Sequence, residues 1–220
     1  MKQPYSLVVF DWEGTIGDPL GNVVHAVRES SQYFSDAEWS EQQARLYLPL
    51  GLDKALEKMY PKMLLLDKQQ LMQRIAIWLS EHSNEVYLLP GVKDWIAHLH
   101  HLGVDLAIAT NKGKKSLKRV LQVSGLDAFF VVTRSADVVP MKPCPQMLQE
   151  IMDVFAKPPS ETLMIGDSLA DIQMATSLGV TSIGVDFYHQ SAQALLDAGA
   201  KVVFDEYDSL AKYLDFGAGR

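Results

Sequence analysis

The chain has 220 residues, 48% of them hydrophobic and 21% charged, which is typical of a globular protein with a sizeable core. Its formal net charge of −7 argues against nucleic acid as a partner, because non-specific binding to nucleic acid needs a basic surface. Cys144 is the only cysteine, which excludes an intrachain disulfide and a cysteine zinc cluster. No apolar stretch approaches the roughly 18 residues of a membrane span, and the N-terminus lacks the apolar core of a signal peptide. We therefore expect a cytoplasmic protein without a membrane partner.

The first predicted element is the short apolar run Leu7–Phe10, which Asp11, Glu13 and Gly14 follow closely. An apolar run of this length, bounded by turn-forming residues, predicts a buried strand. Gly14 allows the backbone to turn sharply and to approach a ligand. In open α/β sheets ligands bind at the carboxyl ends of the strands, so carboxylates at this point are candidates for function.

Residues 23 to 87 have apolar positions at helical spacing and many helix-forming residues. Pro49, Gly51 and Pro61 divide this region into several helices. We therefore predict a helical insert, residues 17–88, between the first strand and the rest of the chain.

From residue 89 onward, apolar strands alternate with helices. The predicted strands are 104–109, 129–132, 162–165, 181–185 and 202–204. The predicted helices are 92–101, 114–124, one that begins at Pro143 or Pro145 and runs to about Phe155, and one that ends at Gly179. This alternation predicts an α/β fold with a parallel sheet, built from residues 1–16 and 89–220. Right-handed crossovers place the loops that follow the strands on one edge of that sheet.

Four of these loops carry polar side chains, which are Asp11 with Glu13, Thr110 with Asn111, Lys142, and Asp167 with Asp171. Carboxylates with room for water suit Mg²⁺, which proteins hold through one or two carboxylates together with substrate phosphate. One carboxylate can serve as a nucleophile that forms an aspartyl-phosphate, and a second can act as general acid and base. A lysine and hydroxyl or amide donors can neutralise phosphoryl oxygens. Together, these residues indicate phosphoryl transfer.

The four motifs in this order resemble those of the haloacid dehalogenase (HAD) superfamily, in its phosphoglycolate-phosphatase-like branch. They are Asp11-Trp12-Glu13-Gly14-Thr15, Thr110-Asn111-Lys112, Lys142-Pro143, and Gly166-Asp167-Ser168 with Asp171. The resemblance spans nearly the whole chain. It implies a Rossmann-like, doubly wound parallel sheet core with an inserted small α-helical cap domain. It also implies a Mg²⁺-dependent phosphatase that acts on a small phosphorylated substrate, as a monomer or homodimer.

The resemblance also implies a role for each matching residue. Asp11 would be the nucleophile and a Mg²⁺ ligand, and Asp167 would be a second ligand that Asp171 supports directly or through water. Thr110 and Lys142 would bind the phosphoryl group, with Asn111 beside them. Gly51 matches the cap loop that reaches into the active site in this family.

One residue departs from the family pattern, because Glu13 stands where the phosphatases have aspartate. The backbone carbonyl at this position would bind Mg²⁺, and the carboxylate would protonate the leaving oxygen and then activate water. Glutamate is longer by roughly 1.5 Å, and a misplacement of about 1 Å can cost on the order of 10²-fold in rate. We expect acid–base catalysis that is either slowed or accommodated by a shifted loop. We expect Glu13→Asp to speed turnover of a good phosphoester substrate, whereas a slower variant would mean that the pocket is built around glutamate.

Two other functions remain open at this stage. One is a phosphonate hydrolase, in which a cap lysine such as Lys54, Lys58 or Lys62 forms a Schiff base. The other is a non-catalytic binding protein that keeps the fold without the general acid. A further basic run is expected to be a solvated helix face, and its members are Lys112, Lys114, Lys115, Lys118 and Arg119.

Overall fold

The computed structural model describes residues 5–35 and 37–214, which form two compact units. One unit comprises the described residues up to Asp18 together with those from Leu88 onward, and the other is Pro19–Tyr87. These limits lie within two residues of the boundaries expected from the sequence. That the second unit serves as a cap remains a prediction.

The unit Pro19–Tyr87 is helical. Its helices are α1 (Gly21–Ser31), α2 (Glu41–Tyr47), the short 3₁₀ helix Leu48–Leu50, α3 (Leu52–Met59) and α4 (Leu65–Glu81). Apolar side chains from all four α-helices form one cluster, with Leu71 and Ile75 of α4 fully buried in it. The unit therefore has a hydrophobic core of its own.

The other unit is built on a sheet of six parallel strands. These are β1 (Leu7–Phe10), β2 (Asp105–Thr110), β3 (Val132–Ser135), β4 (Thr162–Gly166), β5 (Thr181–Val185) and β6 (Val203–Phe204), in the spatial order β3-β2-β1-β4-β5-β6. The flanking helices are α5 (Val92–His101), α6 (Lys114–Ser124), α7 (Gln146–Phe155), α8 (Leu169–Ser177), α9 (Ala192–Asp197) and α10 (Tyr207–Leu214). The predicted α/β fold with a parallel sheet is confirmed.

Strand β1 lies at the centre of this sheet, and all four of its residues are fully buried. Leu7 and Val9 pack in the cluster that contains α7 and α8. Phe10 lies edge-on to Trp95 of α5, with ring centroids 5.7 Å apart. Because successive side chains of a strand point to opposite faces, helices cover both faces of the sheet.

The predicted third strand, 129–132, is wrong by about three residues. The amide of Phe129 donates to the carbonyl of Leu126, so the two phenylalanines belong to the turn that follows α6. Phe130 is buried beside Phe10, and the strand begins only at Val132. This strand lies at the edge of the sheet, where polar residues such as Arg134 are tolerated, so its apolar signal is weak.

Helix α10 is anchored to the loop that follows β1. The hydroxyl of Tyr207 donates a 2.6 Å hydrogen bond to the carbonyl of Thr15, and both residues are buried. The ring of Tyr207 also packs against Trp95 and Phe187. Among the described residues, no helix is both long enough and apolar enough to cross a bilayer.

We predict that Tyr207→Phe lowers the free energy of unfolding by about 1–3 kcal/mol, because the buried carbonyl of Thr15 then lacks a partner. Urea unfolding measures this change. Tyr33→Phe is the control, since Tyr33 is 68% exposed, and it should stay within about 0.5 kcal/mol of the natural protein. Equal stability of the Tyr207→Phe variant and the natural protein would show that the anchor is unimportant.

Candidate active site

The site lies where the strand order of the sheet reverses. The chain runs from β1 outward to β2 and β3 on one side, and then returns to β4 on the other side. Phe10 and Ile165 are paired in the sheet, and the amide of Asp11 donates to the carbonyl of Ile165 over 3.0 Å. Asp11 and Asp167 therefore leave two adjacent strands at the same edge, in the crevice where open α/β sheets bind ligands.

Three carboxylates meet at this point. Asp11, Asp167 and Asp171 each offer an oxygen, and these oxygens lie within 4.8 Å of one another. The Nζ of Lys142 lies 2.8 Å from Oδ1 of Asp11 and 2.6 Å from Oδ1 of Asp171. Three carboxylates with one ammonium leave an excess of negative charge, which a hard divalent cation with oxygen ligands would neutralise. The residues present therefore fit Mg²⁺.

Asp171 is held on both sides by the protein. Its Oδ1 contacts Lys142, and its Oδ2 accepts hydrogen bonds from the amide and hydroxyl of Ser168, at 3.1 and 2.6 Å. Ser168 also precedes the first residue of α8, where a serine favours the start of a helix. Because both oxygens of Asp171 already have partners, its geometry suits support of the site better than direct coordination of a metal.

Burial and charge in this cluster together raise the pKa values of Asp167, Asp171 and Lys142. Burial, followed by the negative charges of Asp11 and Asp171, raises the pKa of Asp167 to about 7. Burial alone would lower the pKa of Lys142, but the adjacent carboxylates outweigh burial and raise it. The raised pKa of Lys142 favours its cationic form, whereas the raised pKa of Asp167 favours its protonated form below about pH 7.

Two glycines allow these side chains to approach the backbone. Gly14 has φ +70°, and a Cβ added there would lie 1.9 Å from Oδ2 of Asp167. A Cβ added at Gly166 would lie 2.3 Å from Cγ of Asp171. The sequence predicted a close approach of Gly14 to a ligand, and the structure shows that Asp167 occupies the space beside it.

Asn111 joins the loop after β2 to the loop that carries Lys142. Its Oδ1 accepts a 2.9 Å hydrogen bond from the amide of Lys142. Thr110 ends β2 and is buried, and its Oγ1 accepts a 3.3 Å hydrogen bond from the amide of Lys112. The structure therefore brings Thr110, Asn111 and Lys142 to one edge. Their predicted role in phosphate binding stays a prediction.

Glu13 lies outside this cluster. The carboxylate of Glu13 forms an ion pair with Nζ of Lys112, and about half of the Glu13 side chain is exposed. Lys112 was expected in a solvated basic face, which is wrong for this residue because it faces the loop after the neighbouring strand. Only the position of Lys112 directly after Thr110 and Asn111 indicates in the sequence that Lys112 lies near the site. Gly51 lies in the helical unit between the 3₁₀ helix and α3, and its predicted role stays a prediction.

We predict that Gly14→Ala weakens Mg²⁺ binding by roughly 10- to 100-fold, because the added methyl group displaces Asp167. Isothermal titration calorimetry with Mg²⁺ measures this change. The matched control is Gly103→Ala, since Gly103 has φ +76° but open space around its Cβ position. A loss of stability without a loss of Mg²⁺ affinity is expected for the control. The same outcome for Gly14→Ala would contradict the role of Asp167.

We also predict that Mg²⁺ raises the melting temperature more at about pH 8 than at about pH 6. Without metal, Asp167 keeps its proton up to about pH 7, whereas in the unfolded chain it loses it near its ordinary pKa of 3.8. The folded state binds more protons in this window, so the contribution of Asp167 to stability falls as the pH rises from about 4 to about 7. Mg²⁺ bound at the ionised carboxylate would offset that loss.

Thermal unfolding with and without Mg²⁺ at the two pH values tests this prediction, with Asp167→Asn as the control. The variant has no carboxyl to titrate, so its response to Mg²⁺ should be weak and should change little with pH. A natural protein that gains equal stability from Mg²⁺ at both pH values would rule out the ionisation of Asp167 as the cause.

Comparison with known proteins agrees with this geometry. The family model for haloacid dehalogenase-like hydrolases matches residues 8–185. A phosphoglycolate phosphatase of Vibrio vulnificus is 29% identical over 97% of this chain and 96% of its own, and one of Mannheimia succiniciproducens is 28% identical over 96% and 99%.

Solved structures share the fold. A HAD family hydrolase from Deinococcus radiodurans superposes with a TM-score of 0.66 at 18% identity, over 97% of this chain and 96% of its own. A hydrolase from Pseudomonas syringae gives 0.63 at 21% identity, over 97% and 100%. The chain therefore belongs to the haloacid dehalogenase-like hydrolase family.

Proposed function

We propose that this protein is a Mg²⁺-dependent phosphatase that hydrolyses a small phosphorylated metabolite through an aspartyl-phosphate on Asp11. The observation that carries the proposal is the contact of Asp11 with buried Lys142 inside a cluster of three carboxylates. This arrangement gives one reactive carboxylate, a fixed cation and a place for a divalent metal at the end of a central strand. The phosphatase names of the relatives agree with it.

Asp11 and Asp167 would hold the Mg²⁺, with the backbone carbonyl of Glu13, while Asp171 would support the site through its contact with Lys142. When bound, the metal supplies positive charge to the phosphoryl oxygens and to the nucleophile. Lys142 supplies a second positive charge from the protein, and Thr110 and Asn111 supply polar contacts beside it. Phosphoryl transfer depends mainly on this positioning and charge compensation.

In the first step, a carboxylate oxygen of Asp11 attacks phosphorus, and the bond between phosphorus and the leaving oxygen breaks. Glu13 gives a proton to that oxygen, so the dephosphorylated product leaves as an alcohol. Asp11 then carries the phosphoryl group as a mixed anhydride, and Glu13 is ionised.

In the second step, water attacks the same phosphorus. Glu13 takes a proton from this water, and the bond between phosphorus and Asp11 breaks. Inorganic phosphate leaves, and both carboxyl groups return to their starting state. One residue thus serves as acid and then as base.

Phosphoglycolate is the first substrate to test, because it is the substrate in the names of relatives that match nearly the full chain. It belongs to the proposed class, since it is small and carries one phosphate ester. The helical unit Pro19–Tyr87 would act as the cap, with Gly51 in the loop directed at the substrate.

We predict that Asp11→Asn lowers Mg²⁺-dependent hydrolysis of p-nitrophenyl phosphate and phosphoglycolate by at least about 10³-fold, since the nucleophile is lost. Phosphate release measures the rate. Asp105→Asn is the matched control, because Asp105 lies at the start of β2, at the opposite end of the strand, and its variant should keep full activity. An Asp11→Asn variant that hydrolyses either ester at the natural rate would refute the aspartyl-phosphate. If the natural protein binds Mg²⁺ but hydrolyses no phosphoester, a binding protein is the better account.

A further inference from the structure

The feature that the proposed mechanism leaves unexplained is the ion pair between Glu13 and Lys112. The two residues are 99 positions apart and lie in the loops that follow the adjacent strands β1 and β2. Oε1 of Glu13 is in direct contact with Nζ of Lys112, and no other side-chain partner of Glu13 occurs in the described ranges 5–35 and 37–214. The side chain of Lys112 is only 19% exposed, although it belongs to a run of basic residues that is mostly solvated.

Both loops hold their backbones in place. In the loop after β1, the amides of Ile16 and Gly17 donate to the carbonyl of Trp12, and the amide of Gly14 donates to the carbonyl of Gly17. In the loop after β2, the amide of Lys112 is bonded to Thr110, and Asn111 is bonded to the amide of Lys142. The backbone positions of Glu13 and Lys112 are therefore set by the sheet, and only their side chains are free to adjust.

A glutamate at this position needs such a partner more than an aspartate does. It has one more rotatable bond, and its carboxylate reaches roughly 1.5 Å farther from the backbone. An unrestrained carboxylate would occupy several positions, and a displacement of about 1 Å costs on the order of 10²-fold in rate for a group that transfers a proton. A fixed ammonium beside the carboxylate selects one of these positions.

We propose that Lys112 is a positioning residue, which holds the Glu13 carboxylate where acid–base catalysis needs it and so accommodates the extra length of glutamate. The proposal rests on the proposed function, because it requires Glu13 to act on the leaving oxygen and on water. This role of Lys112 reverses the expectation from the sequence that Glu13→Asp speeds turnover. Glu13→Asp would withdraw the carboxylate from Lys112 and should slow turnover rather than speed it.

An effect on the rate can be separated from an effect on folding. A half-exposed ion pair contributes little to stability, since water competes for both charges. Loss of the Lys112 ammonium should therefore leave the melting temperature nearly unchanged while lowering kcat. A residue with a merely structural role would lower the melting temperature instead.

The experiment measures kcat and KM for p-nitrophenyl phosphate at saturating Mg²⁺, in Lys112→Met, Glu13→Asp and the double variant. This ester has no second anionic group, so a direct contact of Lys112 with such a group cannot account for an effect. We expect Lys112→Met to lower kcat by about tenfold or more, with KM unchanged. We expect the same substitution to change kcat by less than about twofold in the Glu13→Asp background, where the pair is already broken.

Two further variants complete the design. Lys112→Arg keeps a cation and should retain kcat within about threefold of the natural protein. Lys115→Met removes an exposed lysine of the same basic run and should change neither constant.

Three outcomes would overturn the proposal. They are an unchanged kcat in Lys112→Met, an equal loss in both backgrounds, and a rise in KM in place of the loss in kcat. The second and third would mean that Lys112 acts on the substrate rather than on Glu13. Failure of the proposed function is distinguishable, because it would appear as full activity of Asp11→Asn or as no phosphoester hydrolysis by the natural protein, whatever residue occupies position 112.

Discussion

The ion pairs of Lys142 with Asp11 and Asp171 set the electrostatics of the whole site. All three side chains are almost fully buried, and a buried charge is tolerated only when it is paired. One ammonium is shared by two carboxylates, and Asp167 brings a third. The cluster therefore keeps a negative excess that the protein itself does not neutralise. Burial together with this excess raises the pKa of Asp167, and the excess explains why the site favours a divalent cation.

The topology of the sheet is what brings these charges together. Asp11 and Asp167 follow β1 and β4, which are neighbours in space although more than 150 residues separate them in the chain. The glycines at positions 14 and 166 leave room beside the backbone for the carboxylates of Asp167 and Asp171. A fully buried central strand is a rigid support, and hydrogen bonds between loops restrict the groups that it carries. The register of β1 against β4 therefore both packs the core and places the carboxylates of Asp11 and Asp167 at one edge.

Much of this arrangement could be predicted from the sequence. The strands β1, β2, β4 and β5 are apolar runs, and the candidate residues follow such runs directly, so a parallel sheet brings their ends together. The third strand was misplaced because its polar edge position weakens the apolar pattern, while two buried phenylalanines in the preceding turn strengthen it. The helices α9 and α10 were not predicted, and the first is only six residues long.

The contacts between loops could not be predicted, because they depend on the path of the backbone rather than on residue type. The bond from the amide of Lys142 to Asn111 is one example, since it needs two loops in register. The two bonds of Asp171 with Ser168 are a different case, because they lie within one loop as the cap of α8. The residue types at 168 and 171 fit a helix cap and a metal ligand equally well. A sequence pattern predicts which side chains reach the carboxyl edge of the sheet. The hydrogen bonds formed in the folded loops determine which of these side chains remain available for a ligand.

The Lys142–Asp11 pair is buried and the Lys112–Glu13 pair is partly exposed, which fits the different roles of the two carboxylates in the proposed mechanism. Lys142 holds Asp11 in the buried cluster, whereas Lys112 holds Glu13 at the surface of the same edge. In the proposed mechanism, Asp11 attacks phosphorus and gains from a fixed, dry environment, where charge interactions are strong. Glu13 must pass a proton to the leaving oxygen and take one from water, so it needs access to solvent. A buried partner would fix Glu13 equally well but would deny it water, and a lysine on the exposed loop after β2 avoids that conflict.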